Sequence, residues 1–111
     1  MKTGSIFIEF FGDSPNTRLL DFLITGRTFD YSLTDLAKNA GIGWVTLHRI
    51  LPRLEQQKIL VKTREIGRAK LYKLNQENQE VAKLIGLYDS LLEKQIKQAR
   101  EKEMQIIKVK G

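Results

Sequence analysis

Apolar residues recur every three or four positions in two neighbouring stretches of this chain, and this spacing predicts two short amphipathic helices. The first stretch begins after Ser32 and stops at Gly41, a residue that can adopt a positive φ and end a helix. The second begins after Gly43, and its apolar positions fall on one side: Leu47, Ile50, Leu51 and Leu54. Two short helices joined by a tight glycine turn predict a helix-turn-helix that starts at residue 33.

The opposite face of the second predicted helix has an unusual composition. It carries a large aromatic residue, a β-branched residue and three residues that can donate hydrogen bonds from nitrogen: Trp44, Val45, His48, Arg49 and Arg53. Such a face suits a helix that lies in a DNA groove better than one that serves only as scaffold. Arg49 is the main candidate for reading a base, because a guanidinium can bind O6 and N7 of guanine together.

The segments around this motif predict one more helix and a small hairpin. Ser14 and Pro15 are typical of a helix start, and the apolar stripe after them ends at Gly26. A strand is predicted to begin at residues 59–61, followed by a turn over 64–68 and a return strand over 69–74. This hairpin is a candidate wing that carries Lys62, Arg64, Arg68 and Lys70, and its basic tip predicts DNA contacts from Arg64, Arg68 and Lys70. The segment Ile6–Phe11 fits either a strand or a helical turn capped by Ser5.

A long helix is predicted for the last third of the chain, from residue 76, after a cap at Asn75, to about residue 103. Its length would be about 40 Å. Its apolar stripe is too long for so small a domain to cover, so it either folds back in part over its own core or forms an antiparallel seam with a second copy. We favour the homodimer, with the interface formed by Val81, Leu84, Ile85, Tyr88, Leu91, Leu92 and Ile96.

The length and composition of the chain exclude several classes of protein. The length of 111 residues is that of one ordinary domain, and no apolar run approaches the length of a membrane helix. There is no cysteine and one histidine, so thiolate metal sites are excluded and a cytoplasmic location is expected. The scattered carboxylates, such as Asp13, Asp21 and Asp89, form no nucleophile–base pair. We therefore expect no enzymatic activity, no cofactor and no metal.

The positive charge of the chain is concentrated in one stretch. The formal net charge is +6, and residues 44–73 alone contain eight Lys and Arg against Glu55 and Glu65. The segments before and after this stretch nearly balance, at −1 and +1. A block of one sign on and after the second motif helix indicates a surface that faces phosphates. The sequence therefore predicts double-stranded DNA as the partner.

Residues 14–96 resemble winged helix-turn-helix transcription regulators of the broad MarR/ArsR class, in particular small archaeal ones. The resemblance is carried by YSLTDLAKNAGIGWVTLHRILPRLEQQKIL and the hairpin KTREIGRAKLYKL. It implies a dimer through the last helix, a recognition helix in the major groove and a wing tip at the minor groove. It also implies phosphate contacts from Thr34 and Thr46, Arg53 close to the DNA backbone, and Arg68 and Lys70 in the wing.

The expected architecture is thus mainly α with a small β-hairpin wing, a winged helix-turn-helix with a long C-terminal dimerisation helix. Residues 1–75 would form the DNA-binding domain with its N-terminal extension, and residues 76–111 the dimerisation helix and tail. The expected function is sequence-specific regulation of transcription, with repression as the favoured role. Two alternatives remain open: an architectural or plasmid-partition protein, and a winged-helix module that binds proteins. The sequence locates no pocket for a small-molecule effector.

Overall fold

The structure, a computed structural model, describes residues 5–110 and the side chains of residues 5–107. Five helices and three short strands follow one another along this part of the chain. Their bounds are α1 Ile6–Phe11, α2 Pro15–Thr25, β1 Tyr31–Ser32, α3 Leu33–Ala40, α4 Trp44–Gln56, β2 Leu60–Ile66, β3 Ala69–Leu74 and α5 Gln79–Lys110. The predicted winged helix-turn-helix with a long C-terminal helix is confirmed as the fold.

Serine side chains cap the first three helices. The hydroxyl of Ser14 accepts a hydrogen bond from the backbone N–H of Thr17, and Pro15 occupies the first turn of α2, as predicted. The hydroxyl of Ser5 accepts from the N–H of Ile8, so the segment for which the sequence allowed two conformations is a short helix. Each cap satisfies a backbone donor that the helix itself cannot pair.

The helix-turn-helix consists of α3 and α4. Ser32 caps α3, and Gly41 ends it with a φ of +69°, the left-handed conformation that glycine adopts at little cost. Gly43 occupies the N-cap of α4, as predicted. The four apolar positions predicted to face inward on α4 are all buried: Leu47, Ile50, Leu51 and Leu54.

The sheet contains one strand more than the predicted hairpin. Strand order is β1-β3-β2, all antiparallel, with Tyr31 opposite Tyr72. The two residues directly before α3 therefore form a third strand. The hairpin turn is also tighter than the predicted 64–68, because β2 runs to Ile66 and β3 begins at Ala69. Gly67, with a φ of +61°, supplies the positive dihedral that such a two-residue turn requires.

The predicted start of the last helix at residue 76, capped by Asn75, is wrong. The Oδ1 atom of Asn75 accepts from the N–H of Glu77 and closes a turn, whereas Oδ1 of Asn78 accepts from the N–H groups of Glu80 and Val81. Two asparagines three residues apart can each serve as a cap, and the second one does. The helix also continues beyond 103, to Lys110. At 1.5 Å per residue, its 32 residues span about 48 Å.

The core lies where α2, α3 and α4 meet the sheet and the first turns of α5. Eight large side chains are almost entirely buried there: Phe7, Leu19, Leu23, Ile24, Leu36, Leu47, Leu60 and Leu74. Tyr72 and Leu74, two residues apart in β3, are both buried, because alternate side chains of a strand face the same side of the sheet. This packing fixes the inner face of α4 and leaves its other face to solvent.

The end of α4 contains a strained residue that can be tested. Lys58 has a φ of +59°, while the N–H of Ile59 bonds to the carbonyl of Leu54 and the N–H of Lys58 to that of Glu55. This is the Schellman motif, in which glycine is usual. We expect Lys58→Gly to stabilise the protein by up to about 1 kcal/mol, since relief of left-handed strain exceeds the added freedom of the unfolded chain. Urea unfolding measures it, with Lys73→Gly in β3 as the destabilising control; a loss of stability in Lys58→Gly would contradict this account of the turn.

Candidate nucleic-acid interface

The outer face of α4 carries large side chains that are exposed to solvent. Val45 is 68% exposed and Trp44 51%, which is unusual for apolar side chains of their size. His48 and Arg49 are exposed one turn further along, whereas Leu47, Ile50, Leu51 and Leu54 of the same helix are buried. The structure therefore brings the four exposed, predicted side chains together on one accessible face.

Trp44 and His48 form a local pair on this face. Their ring centroids lie 4.3 Å apart with the planes tilted by 50°, and His48 Nδ1 lies 3.0 Å from the backbone oxygen of Trp44. A carbonyl oxygen only accepts hydrogen bonds, so Nδ1 donates in this contact and the other ring nitrogen stays available. The pairing holds both rings in place on the exposed surface.

Arg53 continues the same side of α4 and is held by a residue that the sequence pattern did not single out. Its guanidinium donates to Asn16 Oδ1 at 2.6 Å, across to the first turn of α2. Asn16 is exposed and directly follows Pro15. Nothing in the periodicity marks Asn16, because its importance depends on how α2 lies against α4. The pair places a guanidinium next to the amino-terminal end of α2, where backbone N–H groups favour anions.

The two helix starts on this side form a shallow depression. It has a volume of about 330 Å³, and Ser14, Gly43 and Thr46 are among its lining residues. Arg18 joins two parts of the lining by hydrogen bonds. Its guanidinium donates to both carboxylate oxygens of Asp13, at 2.7 and 2.8 Å, and to the backbone carbonyl of Gly41 at 3.1 Å. The hydrogen bond from Arg18 lowers the pKa of Asp13.

The two threonines with implied phosphate contacts differ in their surroundings. Thr46 is half-buried in the wall of this depression, at the amino-terminal end of α4. Thr34 is exposed in the first turn of α3. Both therefore lie at helix starts, but the depression brings only Thr46 next to another helix end.

Four cations of the wing, Lys62, Arg64, Arg68 and Lys70, have different surroundings. Lys62 Nζ lies 2.8 Å from a carboxylate oxygen of Glu65, so this charge is partly compensated within the strand. Lys70 is exposed opposite Glu65 in the strand register. Arg68 forms half of the turn. Within the described residues, Arg68 is thus a cation at the turn of the wing that forms no ion pair.

Arg64, by contrast, is bound to an acidic residue outside the wing. Its Nε and one terminal nitrogen donate to the two carboxylate oxygens of Asp30, at 2.9 and 3.2 Å. Thr63 Oγ1 donates to the same carboxylate at 2.6 Å. These hydrogen bonds, that from Arg64 first, lower the pKa of Asp30 from 3.8 to about 2. Asp30 precedes β1 in sequence, and its role was not apparent from the sequence because the partner residues are more than thirty positions away.

The predicted dimer residues of α5 divide into two groups. Val81 is 2% exposed in the core of its own chain, and Leu84, Ile85 and Tyr88 pack against that core. The hydroxyl of Tyr88 is also 2.7 Å from Thr25 Oγ1. Leu91 is half-buried, whereas Leu92 and Ile96 are exposed. The beginning of the stripe therefore folds over its own domain, and the surface left for a partner begins near Leu92.

Two further features concern membranes and metals. None of the described helices combines the length and apolar character needed to cross a membrane. Within the described residues, no three His, Cys, Asp or Glu side chains come close enough together to hold a metal ion.

Comparison with known proteins places the fold. No family model matches the chain. No curated protein matches it either. Among solved structures, MepR, a transcription regulator of the Staphylococcus aureus multidrug efflux pump MepA, superposes with a TM-score of 0.60 at 17% identity, over 93% of this chain and 79% of MepR. The adhesin competence repressor AdcR from Streptococcus pyogenes gives 0.60 at 18% identity, over 82% and 71%.

A third similar structure is NadR in complex with 4-hydroxyphenylacetate, with a TM-score of 0.61 at 23% identity over 94% of this chain and 75% of NadR. More than four fifths of this chain is covered in each of the three comparisons. Identities this low carry no residue role from one protein to another. The chain has the winged helix-turn-helix fold of these transcription regulators, as its sequence pattern predicts.

Proposed function

We propose that this protein is a sequence-specific regulator of transcription that binds double-stranded DNA as a homodimer. The observation that carries the proposal is the outer face of α4, where aromatic, imidazole and guanidinium groups are exposed while the leucine and isoleucine side chains of the helix are buried on the other side. An α-helix fits the major groove, and only there do base edges distinguish all four base pairs. The fold shared with solved transcription regulators supports the same function.

In this arrangement the residues have different tasks. Trp44, Val45, His48 and Arg49 face base edges, while Thr34, Thr46 and Arg53 hold the sugar–phosphate backbone. Arg68 enters the adjacent minor groove and Lys70 contacts a phosphate beside it. The charges support this division, because the +6 of the stretch from residue 44 to 73 covers both the helix and the wing. Contacts to phosphates fix the register of the protein, and contacts to bases select the sequence.

A second copy of the chain is the partner that best fits the exposed stripe of α5. Leu92 and Ile96 continue at helical spacing into Ala99 and Ile106, all outside the chain's own core. Two such helices packed antiparallel would cover both stripes and place two recognition helices on one side of a duplex. Repression is the simplest role for such a dimer, since occupying a promoter excludes other proteins. AdcR, which shares the fold, is itself a repressor.

Selection of bound sequences from a pool of random duplexes tests the function. We expect an enriched inverted repeat whose half-sites are centred about 10 base pairs, or a multiple of that, apart, because two symmetric recognition helices face the same side of B-DNA. Enrichment of a single unrepeated site would argue against the dimer. Binding without enrichment would favour an architectural role, and failure to bind any duplex would favour a module that binds proteins.

The wing has its own test in Arg68. We expect Arg68→Ala to leave the midpoint of thermal unfolding almost unchanged, since exposed charges contribute little to stability. The variant should bind DNA more weakly, and its slope of log K against log salt should be shallower by about one unit, because one cation fewer displaces counterions from the DNA. Lys83→Ala, on the exposed side of α5, is the matched control and should not change the slope. An unaltered slope in Arg68→Ala would mean that the wing faces away from DNA.

A further inference from the structure

The contact between Asp30 and β2 joins the helix-turn-helix to the wing. Asp30 lies just before β1, while Thr63 and Arg64 belong to β2, and these two strands flank β3 on opposite sides. Three hydrogen bonds of 2.6 to 3.2 Å converge on the carboxylate of Asp30. The side chain of Asp30 is only 16% exposed, although that of Arg64 remains 60% exposed. The acid is thus fixed in the fold, and the guanidinium it holds lies at the surface.

The same contact occurs where the wing strand is irregular. The register of β2 against β3 shifts between Lys62, which pairs with Tyr72, and Arg64, which pairs with Leu71. Thr63 is therefore the extra residue of a β-bulge, a feature that bends a strand and redirects the residues beyond it. Its hydroxyl is bound to Asp30. Asp30 consequently holds the bend from which the outer part of the wing, with Arg68 at its turn, projects.

We propose that Asp30 is a specificity-determining residue, which keeps Arg64 away from the DNA backbone and sets the direction of the wing. The inference rests on the proposed function and deepens it. An Arg64 free to move would reach a phosphate on any sequence, because a long flexible cation needs no particular base pair. While Asp30 holds Arg64, Arg64 makes no such phosphate contact, and the contact between the wing and DNA depends on Arg68.

The two parts of this proposal predict different signals. Releasing a charge adds a phosphate contact and strengthens binding equally on every sequence, so the ratio of specific to random affinity stays the same. Releasing the bend lets the wing tip leave the minor groove, which weakens only the complex in which that groove has the right shape. A variant that does both should strengthen random binding and lower the ratio.

Asp30→Asn tests both parts, with Glu65→Gln as the matched control. Each substitution removes one negative charge from a wing ion pair, but Glu65 pairs with Lys62 and, within the described residues, makes no hydrogen bond with Thr63. On random duplex, both variants should give a slope of log K against log salt that is steeper by about one unit. On the selected site, only Asp30→Asn should lose discrimination, with the ratio of specific to random affinity falling at least about fivefold. Equal changes on both duplexes in Asp30→Asn would overturn the directing role.

Three further variants separate charge from direction. Arg64→Ala should leave the salt slope unchanged, because the guanidinium is not a phosphate contact in the intact protein; a slope shallower by about one unit would overturn its assignment. The double variant Asp30→Asn/Arg64→Ala should return the slope to that of the wild type while the ratio stays low. Thr63→Val removes the hydroxyl and keeps the ion pair, so it should lower the ratio without changing the slope. If the ratio of specific to random affinity equals that of the wild type in the double variant and in Thr63→Val, the proposed role of the bend is contradicted.

Folding and the proposed function are checked separately. Thermal unfolding of each variant identifies any that is not folded, and Thr63→Val and Arg64→Ala then decide the matter without Asp30→Asn. If the wild type binds random duplex but prefers no sequence, the proposed regulatory function fails. The salt slopes of Arg64→Ala and Asp30→Asn on random duplex still decide whether Asp30 keeps Arg64 away from the DNA backbone.

Discussion

Replacing Leu92 and Ile96 together by glutamate is expected to give a monomer that still folds. Both side chains are exposed in the isolated chain, 39% and 45%, so the substitutions remove no contact within its core. Two carboxylates facing two others across an antiparallel seam would be desolvated and repelled. Linking two DNA-binding units raises the effective concentration of the second to roughly the millimolar range, so affinity for a full inverted repeat should fall about 10²–10⁴-fold. Affinity for a single half-site should change little.

Sedimentation equilibrium measures the oligomeric state, and titrations of whole and half sites measure the consequence. Ser90→Glu with Gln98→Glu is the matched control, because it adds two acidic residues to exposed positions of α5 on other sides of the helix. A wild-type chain that is monomeric at tens of micromolar would refute the dimer, as would a double variant that sediments like the wild type. Glutamate at Leu84 would not discriminate, since Leu84 packs against the core of its own chain.

The difference between Leu84 and Leu92 also shows what the sequence could not decide about α5. Both residues belong to one apolar stripe with one period, and the period is the same whether a helix packs on its own domain or on a partner. Which part is covered depends on where α1 and α2 end against the helix. The Phe7 and Tyr88 rings, 5.5 Å apart, are part of that contact between α1 and α5. No local pattern encodes such a meeting of distant segments.

The local sequence, in contrast, is sufficient to predict the structure where the backbone conformation depends on one residue. Ser32 and Gly41 delimit α3, as the sequence predicts. The sequence also predicts the wing hairpin, but it does not predict the Asp30–Arg64 pair. Charged residues in a sequence show how many cations a surface carries, whereas their partners appear only when the strands are paired. The sequence therefore predicts the candidate DNA contacts only as a group. The structure shows which of these side chains have a partner and which are exposed.

Arg49 offers the most direct test of the recognition helix. It is exposed on the outer face of α4, next to His48 and opposite Leu47 and Ile50, which are buried. If Arg49 binds a guanine through both O6 and N7, Arg49→Ala should cost roughly 1–3 kcal/mol on the selected site and relax the preference at one base pair in each half-site. Affinity for random duplex should fall much less, because contacts to phosphates supply that part of the binding.

Two substitutions make the interpretation of Arg49 specific. Arg49→Lys keeps the charge but lacks the planar fork, so it should recover affinity for random duplex and little of the discrimination. Arg53→Ala is the control on the same helix. Because Arg53 contacts the DNA backbone in the proposed complex, this variant should lose affinity equally for both duplexes. Titrations of the two duplexes at one fixed salt concentration make these comparisons. If Arg49→Ala behaves like Arg53→Ala, Arg49 holds a phosphate instead of a base. If neither duplex is affected, α4 does not lie in the groove, and its exposed aromatic face is better explained as a surface that binds another protein.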